Sequence, residues 1–537
     1  MAPLRGCVVR GVEAVVAPAT QLPGYVGRVL RTAAALLLAA SSLAADARAD
    51  LQGEVRAVLR SAGLGGTQAA VCVARLTPDG PEVLVDLDAD APLAPASNMK
   101  LLTTAAALDR LGPDFAFETT LAVEPGPAGG APSLRVTGSG DPGFGDPELL
   151  DEDGLDPGDL VDRWVDAARA TGVPRFAQLR LDDAVFDRDF VHPDWPADQL
   201  NRWYCAEVAG INFNDNCIDV LYEPGPRAGS PPAVRVFPLY PELLAASTNR
   251  ARTGTDDAFW VSRAADGNAF TFRGTVRDRR VAPVQVTVHD PPLFFGAFLA
   301  HRLREAGVEV GEVVRAAGPA APGTRVVHRV RTTLAGVLDR TNRDSHNLFA
   351  EALLKRLGHE ATGQPGSFAG GAAAVRGFLA SRLPGVDAAG VVVADGSGLS
   401  KRNRLTARLL VGVLAHTAAA GPGAAGLYRS SLAELGESGT LARRGRGVDA
   451  ARVFGKTGYI ARVSALSGYL VLPPERGAGS GSTSGGGGGR ERVYAFSMLF
   501  NGFRPPLSNR SMKAVQDRVL DLLDERLSAV GNAGVVR

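Results

Sequence analysis

A serine followed three residues later by a lysine, at the start of a helical segment, constrains this chain most. The segment reads Pro95-Ala96-Ser97-Asn98-Met99-Lys100, and apolar residues then recur at helical spacing until Gly112-Pro113. Because proline cannot occupy a helix interior, the pattern places Ser97 at the helix start and Lys100 one turn later on the same face. A hydroxyl beside an amine can act as a nucleophile without a histidine.

Lysine is rare in this chain, which makes its position in the Ser-x-x-Lys motif informative. Of 58 lysines and arginines only five are lysine, at positions 100, 355, 401, 456 and 513. Arginine keeps its proton near neutral pH, whereas lysine can lose it. A capped surface helix with an incidental lysine is the alternative that this stretch alone leaves open.

The bulk properties exclude some classes of function. The 537 residues suffice for more than one domain. A net charge of +1, with acidic and basic residues interleaved, argues against a nucleic-acid-binding protein. The acidic segment 151–163 does not fit a calcium-binding EF-hand loop, and no cysteine spacing is typical of a metal site. We therefore predict no metal and no cofactor.

The N-terminal residues indicate export. An apolar run at 32–43 follows Arg28 and Arg31, and Ala47-Arg48-Ala49 fits a signal-peptidase site. The run is short for a membrane span. We predict a leader with a signal peptide over 1–49, a mature chain beginning near Asp50, and a periplasmic or other extracytoplasmic location without a further transmembrane anchor. The long stretch before the run leaves the true translation start open.

The pattern of elements changes twice along the mature chain. Strands are predicted at 67–76 and 82–88, and a helix follows, which suggests a helix packed on an antiparallel sheet. From 116 to 325 short strands alternate with turns, which indicates a mostly β insertion. Helical patterns then return, with a short strand at 391–393. The Gly/Ser-rich tract at 476–490 predicts a flexible hairpin loop between two late strands.

Three short motifs occur in an informative order. Ser97-x-x-Lys100 is followed by Ser345-x-Asn347 in a loop and by Lys456-Thr457-Gly458 in a predicted strand. This triplet is typical of class A β-lactamases and penicillin-binding proteins. Two of the five lysines occupy its two lysine positions.

Each motif has a predicted chemical task. Ser97 would attack an amide or lactam carbonyl and become acylated, and Lys100 would take its proton. Burial and the nearby charge of Lys456 would lower the pKa of Lys100. Ser345 would pass the proton to the leaving amine, and Asn347 would orient Lys100 and bind the acyl side chain.

The third motif is predicted to bind substrate. Lys456 and Thr457 would hold a carboxylate on the leaving group, and Gly458 leaves room for an extended substrate along the strand. The backbone N–H groups of Ser97 and Tyr459 are the expected oxyanion donors.

The chain resembles the class C low-molecular-mass penicillin-binding proteins, the D-alanyl-D-alanine carboxypeptidase/endopeptidases, from about 65 to 525. The nucleophile segment at 95–104 matches that family nearly residue for residue. The segments at 138–142, 395–400 and 438–441 also resemble it, as does the gap of about 245 residues between Ser97 and Ser345.

The resemblance implies an α+β fold. A serine β-lactamase/transpeptidase-like domain, with an antiparallel sheet flanked by helices, is expected at 50–115 and 326–537. The mostly β insertion of two smaller domains is expected at 116–325.

The implied function is that of an exported serine D-alanyl-D-alanine carboxypeptidase, and an endopeptidase activity is open. It would act on peptidoglycan stem peptides, with β-lactams as covalent inhibitors. The alternatives are a non-catalytic cell-wall scaffold, and an esterase or β-lactamase that uses the same motifs.

Two residues depart from the family pattern, and two cysteines leave a question open. His346 stands where the family usually has aspartate, and Tyr459 stands where it usually has threonine, so we expect these departures to affect substrate preference more than activity. Cys205 and Cys217 are close enough in sequence to form a disulfide in an oxidising compartment.

Overall fold

The computed structural model describes residues 50–127, 130–385, 390–445, 447–474 and 490–532. The predicted leader at 1–49 lies outside the described residues, as does the Gly/Ser-rich loop at 476–490 except for its last residue, Arg490. Within the described ranges no helix combines the length and apolarity that a membrane crossing needs.

Helices and strands are numbered in chain order. The helices are α1 (50–61), α2 (Met99–Leu111), α3 (Pro147–Asp151), α4 (Pro157–Arg169), α5 (Pro241–Ala246), α6 (Pro291–Glu305), α7 (Leu334–Asn342), α8 (Asn347–Thr362), α9 (Phe368–Arg382), α10 (Ala407–Ala418), α11 (Pro422–Ser430) and α12 (Asn509–Asn532). The strands are β1 (Gln68–Thr77), β2 (Gly80–Leu87), β3 (Ala116–Glu124), β4 (Ser133–Gly138), β5 (Arg175–Asp182), β6 (Cys217–Glu223), β7 (Ala233–Phe237), β8 (Thr248–Asn249), β9 (Arg252–Thr253), β10 (Trp260–Ser262), β11 (Thr271–Arg273), β12 (Thr275–Val276), β13 (Val284–Thr287), β14 (Glu309–Arg315), β15 (Arg325–Thr333), β16 (Ala433–Glu434), β17 (Arg452–Ile460), β18 (Val463–Leu472) and β19 (Arg492–Asn501).

The strand that carries the third motif belongs to a six-stranded antiparallel sheet, ordered β16-β17-β18-β19-β1-β2. The predicted hairpin at the start of the mature chain is β1–β2, and β1 pairs with β19, so that Gln68 lies opposite Asn501. All ten residues of β18 are buried because α10 and α12 both pack on that strand. The α+β class predicted from the sequence is confirmed.

The helix that follows Ser97 is interior. In α2 every residue from Met99 to Leu108 is buried, and the helix packs against α7, α8 and α10. It ends at Gly112, whose φ of 81° suits glycine. At its other end a 3₁₀ turn, Ala96–Asn98, contacts β17 and β18. The turn that carries Ser97 thereby joins the interior helix, which carries Lys100, to the strand of the third motif.

Two further hydrophobic cores lie between α2 and α7 in sequence. The first belongs to the mixed sheet β14-β5-β4-β3-β15, on which Trp164 of α4 and Phe295 of α6 are fully buried. The second is formed by short strands, and Val220 and Phe272 belong to it. The predicted division at 116 and 325 stays a prediction; β15, which begins at Arg325, pairs with β3 in the first of these sheets.

Two sequence predictions differ from the structure. The strand predicted at 391–393 is wrong, because only one isolated bridge forms there, between Val392 and Arg404. Helix α9 was not predicted. Its buried face repeats at helical spacing from Phe368 to Leu379 but uses glycine and alanine at several positions, so the apolar pattern is weak.

Candidate active site

Ser97 and Lys100 lie side by side as the motif predicts. Lys100 Nζ is 3.2 Å from Ser97 Oγ. The same nitrogen lies 2.6 Å from Asn347 Oδ1 and 2.9 Å from the backbone oxygen of Ser397. The Lys100 side chain is fully buried. It therefore has three polar neighbours, one of which is the serine hydroxyl.

Burial lowers the pKa of Lys100 from its ordinary value to about 7, because the charged ammonium loses its hydration. The carboxylates of Glu351 and Asp395 oppose this effect by favouring the charged form. The contribution of Lys456 to this shift stays a prediction. The charge of Lys100, added to burial, holds the pKa of Lys456 well below its usual range.

The second motif reaches the site through Asn347. This residue is the first of α8, and its Nδ2 donates to the backbone oxygen of Tyr204 at 2.8 Å while its Oδ1 accepts from Lys100. Ser345 lies two residues earlier in the loop between α7 and α8, is partly exposed and has a φ of 67°. In the described chain no hydrogen bond joins Ser345 to Ser97 or to Lys100.

His346, between these two residues, is 95% buried at the N-terminus of α8. Burial and the charge of Arg340 lower its pKa to about 3, so the imidazole is neutral. An imidazole with so low a pKa is a poor general base at neutral pH.

The third motif lies on β17, directly beside the 3₁₀ turn of Ser97. Lys456 is fully buried, and its Nζ donates to the backbone oxygen of Thr457 at 3.0 Å. A Cβ added to Gly458 would lie 2.7 Å from the Pro95 oxygen and 3.1 Å from the Ser97 nitrogen. Only glycine permits this approach of the two backbones. Tyr459, the next residue, is 57% exposed.

The outer side of β17 is open at the motif. β16 pairs with β17 only through Ala433 opposite Gly455 and Glu434 opposite Phe454. On the other side β17 pairs with β18 along its whole length. The residues from Lys456 onward therefore lack a strand partner on one side within the described chain, and an extended peptide could pair there.

Several residues that sequence reasoning missed support the motifs. Asn98 Nδ2 lies 2.7 Å from Ser467 Oγ, and the opposite amide orientation brings its nitrogen 2.8 Å from the Lys456 oxygen. This asparagine links the nucleophile turn to the sheet. Glu351 accepts from the backbone nitrogens of Gly396 and Ser397 at 2.9 and 2.8 Å. It thus fixes the turn whose Ser397 oxygen contacts Lys100.

The turn at 395–400, one of the segments that resemble the family, lies at the site. Ser397 is fully buried and meets Lys100 through its backbone oxygen. Asp395 holds the turn by accepting from the backbone of Gly398 at 2.8 Å and from Trp195 Nε1 at 3.2 Å. The resemblance pointed to this segment, but a second carboxylate that binds its backbone, that of Glu351, lies elsewhere in the chain, on α8.

The three cysteines among the described residues are not paired. Cys72, Cys205 and Cys217 are all buried and free. The disulfide considered between Cys205 and Cys217 is therefore absent from the structure. The two residues occupy a 3₁₀ turn and the start of β6, and each is packed as a small apolar side chain.

One group of described residues has the arrangement of metal ligands. Asp146, Asp215 and His346 each place one ligand atom within 4.8 Å of the others. The group adjoins the second motif through His346. It does not include Ser97, Lys100 or Lys456, so the catalytic geometry above involves no metal ligand.

The model of the D-Ala-D-Ala carboxypeptidase 3 (S13) family matches residues 51–526. The chain belongs to this family. It is 33% identical over 516 residues to a D-alanyl-D-alanine carboxypeptidase of Actinomadura sp. (strain R39), and the alignment covers 91% of this chain and 88% of that protein. It is 23% identical over 403 residues to the D-alanyl-D-alanine carboxypeptidase DacB of Haemophilus influenzae, with 72% and 80% covered.

The fold of this S13 family member is also similar to a solved structure. The crystal structure of penicillin-binding protein 4 from Haemophilus influenzae has a TM-score of 0.68 to it at 21% identity, with 88% of this chain and 98% of that chain covered. The family expected from the motifs is confirmed, and so is the class of enzyme, a serine-type D-Ala-D-Ala carboxypeptidase.

Proposed function

We propose that this enzyme cleaves the terminal D-Ala-D-Ala bond of peptidoglycan stem peptides through an acyl-enzyme on Ser97, with Lys100 as the base. The contact between Lys100 Nζ and Ser97 Oγ carries the proposal. The other two neighbours of that nitrogen, Asn347 Oδ1 and the Ser397 oxygen, are both acceptors. A neutral amine would donate its two hydrogens to them and turn its lone pair towards the Ser97 hydroxyl.

Acylation follows from this arrangement. Ser97 Oγ bonds to the carbonyl carbon as its proton passes to Lys100. The backbone N–H groups of Ser97 and Tyr459 would stabilise the oxyanion. As the C–N bond breaks, Ser345 would relay a proton to the departing D-alanine. Water then attacks the ester and restores Ser97, which completes hydrolysis.

Substrate binding is assigned to the open side of β17. The peptide would lie along the strand beside Gly458, and its terminal carboxylate would meet Lys456 and Thr457. Because burial holds the pKa of Lys456 far below its usual range, an arriving carboxylate would favour the charged ammonium and gain a strong ion pair. Asn347 would bind the acyl side chain.

β-Lactams should acylate the same serine, since they present a strained amide and a carboxylate to the same groups. A Haemophilus influenzae penicillin-binding protein 4 with the same fold has been solved in complex with a β-lactam.

We also assign an extracytoplasmic location, on the basis of the predicted signal peptide at 1–49. An endopeptidase activity would cleave cross-linked muropeptides by the same steps, with a longer leaving group. A muropeptide dimer as substrate would measure this activity.

The test is D-alanine release from a pentapeptide that ends in D-Ala-D-Ala. The chain from Asp50 onward should release D-alanine, Ser97→Ala should not, and Ser61→Ala, an exposed serine outside the site, should match the wild type. Equal release by Ser97→Ala would contradict the assignment of the nucleophile. Absence of release from the wild type, with penicillin still bound at Ser97, would favour a scaffold or a different acyl substrate.

A further inference from the structure

A second cluster of titratable residues lies beside the catalytic site and takes no part in the chemistry proposed for it. Asp146 caps the N-terminus of α3, Asp215 lies in the 3₁₀ turn at Asn214–Asn216, and His346 precedes α8. The three are 0%, 3% and 5% exposed. They are about 70 and 130 residues apart in sequence, so no sequence motif could reveal the cluster.

The ligand atoms of these residues converge. One donor atom from each lies within 4.8 Å of the others, and His346 Nε2 is 3.6 Å from Asp215 Oδ1. That separation is too long for a hydrogen bond. It suits two ligands of one ion, since donors about 2.1 Å from a tetrahedral metal lie about 3.4 Å apart.

Two buried atoms of the cluster have no partner. Asp215 Oδ1, which faces His346, accepts no hydrogen bond, and His346 Nδ1 has no partner either. An unpartnered carboxylate oxygen at 3% exposure is destabilising unless something binds it. The cluster therefore has side-chain atoms that are free to bind an ion, at a depth that water cannot readily reach.

The local charge is also incomplete. Arg340 donates to Asp146 Oδ2 from Nη2 at 2.9 Å and from Nε at 3.2 Å. Its single positive charge is shared with Asp344, to which it donates at 2.8 Å. Asp215 is left without a cation in contact.

We propose that Asp146, Asp215 and His346 form a buried site for one divalent transition-metal ion, with Zn²⁺ as its best-suited occupant. Two carboxylate oxygens and a neutral imidazole nitrogen are donors that zinc accepts, and a second carboxylate oxygen or a water would complete four ligands. Arg340 would hold Asp146 in orientation from outside the ligand set.

The ion would fasten the second motif to the rest of the fold. His346 lies between Ser345 and Asn347, while Asp146 and Asp215 belong to segments between α2 and α7. A metal bond across these segments would hold Asn347 in position against Lys100. The site would be structural, since none of its ligands contacts Ser97 or Lys100.

Metal analysis tests this site without reference to catalysis. The untagged chain from Asp50 onward is treated with a chelator, incubated with Zn²⁺, and dialysed. The wild type should retain about one zinc ion per chain, and its melting temperature should rise with added Zn²⁺. Asp215→Asn keeps the side-chain volume and should lose both the zinc and the rise.

Two further variants keep the result interpretable. His346→Leu removes the nitrogen ligand and should also lose the zinc. His289→Asn removes an imidazole that contacts a carboxylate, Glu207, at 2.9 Å outside the cluster, and it should retain zinc as the wild type does. A folded wild type without zinc and without a melting shift would overturn the proposal and indicate a proton shared between Asp146 and Asp215. Unchanged zinc in Asp215→Asn and His346→Leu would overturn it equally.

Discussion

Lys100 has a constrained hydrogen-bonding environment, and that environment defines its proposed role. Its two acceptors, Asn347 Oδ1 and the Ser397 oxygen, match the two hydrogens of a neutral amine, and Ser97 Oγ occupies the remaining direction. Burial brings its pKa to about 7, so an appreciable fraction of the amine is neutral near neutral pH. Lys100 can therefore serve as the proposed base without a histidine.

The pH dependence of acylation follows from that pKa. Only the neutral amine accepts a proton, and its fraction falls about tenfold per pH unit below the pKa. Acylation by a chromogenic cephalosporin should rise with pH to about 7 and then level off. The measurement is the second-order acylation rate from about pH 5 to pH 9.

Lys100→Arg is the matched variant for the pH experiment. Arginine stays charged over the whole range, so acylation should be slower by about 100-fold or more at every pH. A wild-type rate that is flat with pH, or that falls as pH rises through 7, would show that Lys100 is not the base.

At the residue scale the spacing of the motifs predicted Ser97, Lys100 and Asn347 as neighbours, because the triplet has a known chemical logic. The supporting residues could not be predicted in the same way. Glu351 acts on a turn 45 residues further along the chain, and Asn98 on a strand 369 residues away. Such contacts depend on tertiary packing, which local patterns do not encode.

At the element scale, the contact between β17 and the 3₁₀ turn of Ser97 determines the geometry of the proposed active site. Gly458→Ala would place a Cβ 2.7 Å from the Pro95 oxygen and 3.1 Å from the Ser97 nitrogen. Because backbone cannot yield as a flexible side chain can, the turn or the strand must shift. We expect acylation to slow by about tenfold or more, equivalent to about 1.4 kcal/mol in the barrier.

Gly455→Ala is the control on the same strand. Its Cβ would lie 3.3 Å from the Ser467 oxygen and 3.4 Å from Leu441 Cδ1, contacts that need only small adjustments. The rate should stay within about threefold of the wild type. Acylation that is equally fast in both variants would show that the approach of β17 to Ser97 does not govern the site.

Strands and helices with strong apolar periodicity were predicted well from the sequence, and α2 and the β1–β2 hairpin are examples. Two predictions from the sequence failed, one of a strand and one of a helix. The predicted strand at 391–393 has apolar residues, yet its one bridge, to Arg404, does not extend. Helix α9 carries small residues on its buried face, so its apolar periodicity is too weak to predict a helix from the sequence.

At the scale of the whole molecule, the long segment between the first two motifs is folded around cores of its own, and the fold brings Asp215 beside His346. The resemblance to a known family anticipated an interruption there. It did not anticipate the three-residue cluster, because ligands so far apart in sequence share no pattern.

The two departures from the family pattern, at His346 and Tyr459, differ in their surroundings. The His346 side chain is buried in that cluster, whereas the Tyr459 side chain is exposed.

The thiols give a whole-molecule test of the fold. A chain that begins at Asp50 has three cysteines, all buried and free. After export to an oxidising compartment, the native protein should react with a thiol reagent only slowly, and the unfolded protein should show all three thiols without added reductant. A single reactive thiol in the unfolded protein would reveal a disulfide and contradict the packing of Cys205 and Cys217.

The central claim is that Ser97 is the residue that becomes acylated. Mass spectrometry of the protein after brief exposure to benzylpenicillin, followed by proteolysis, tests it most directly. We predict one penicilloyl group per chain, located on the peptide that contains Ser97 and absent from Ser97→Ala. A penicilloyl group on any other residue, or the same modification in the Ser97→Ala protein, would contradict the account.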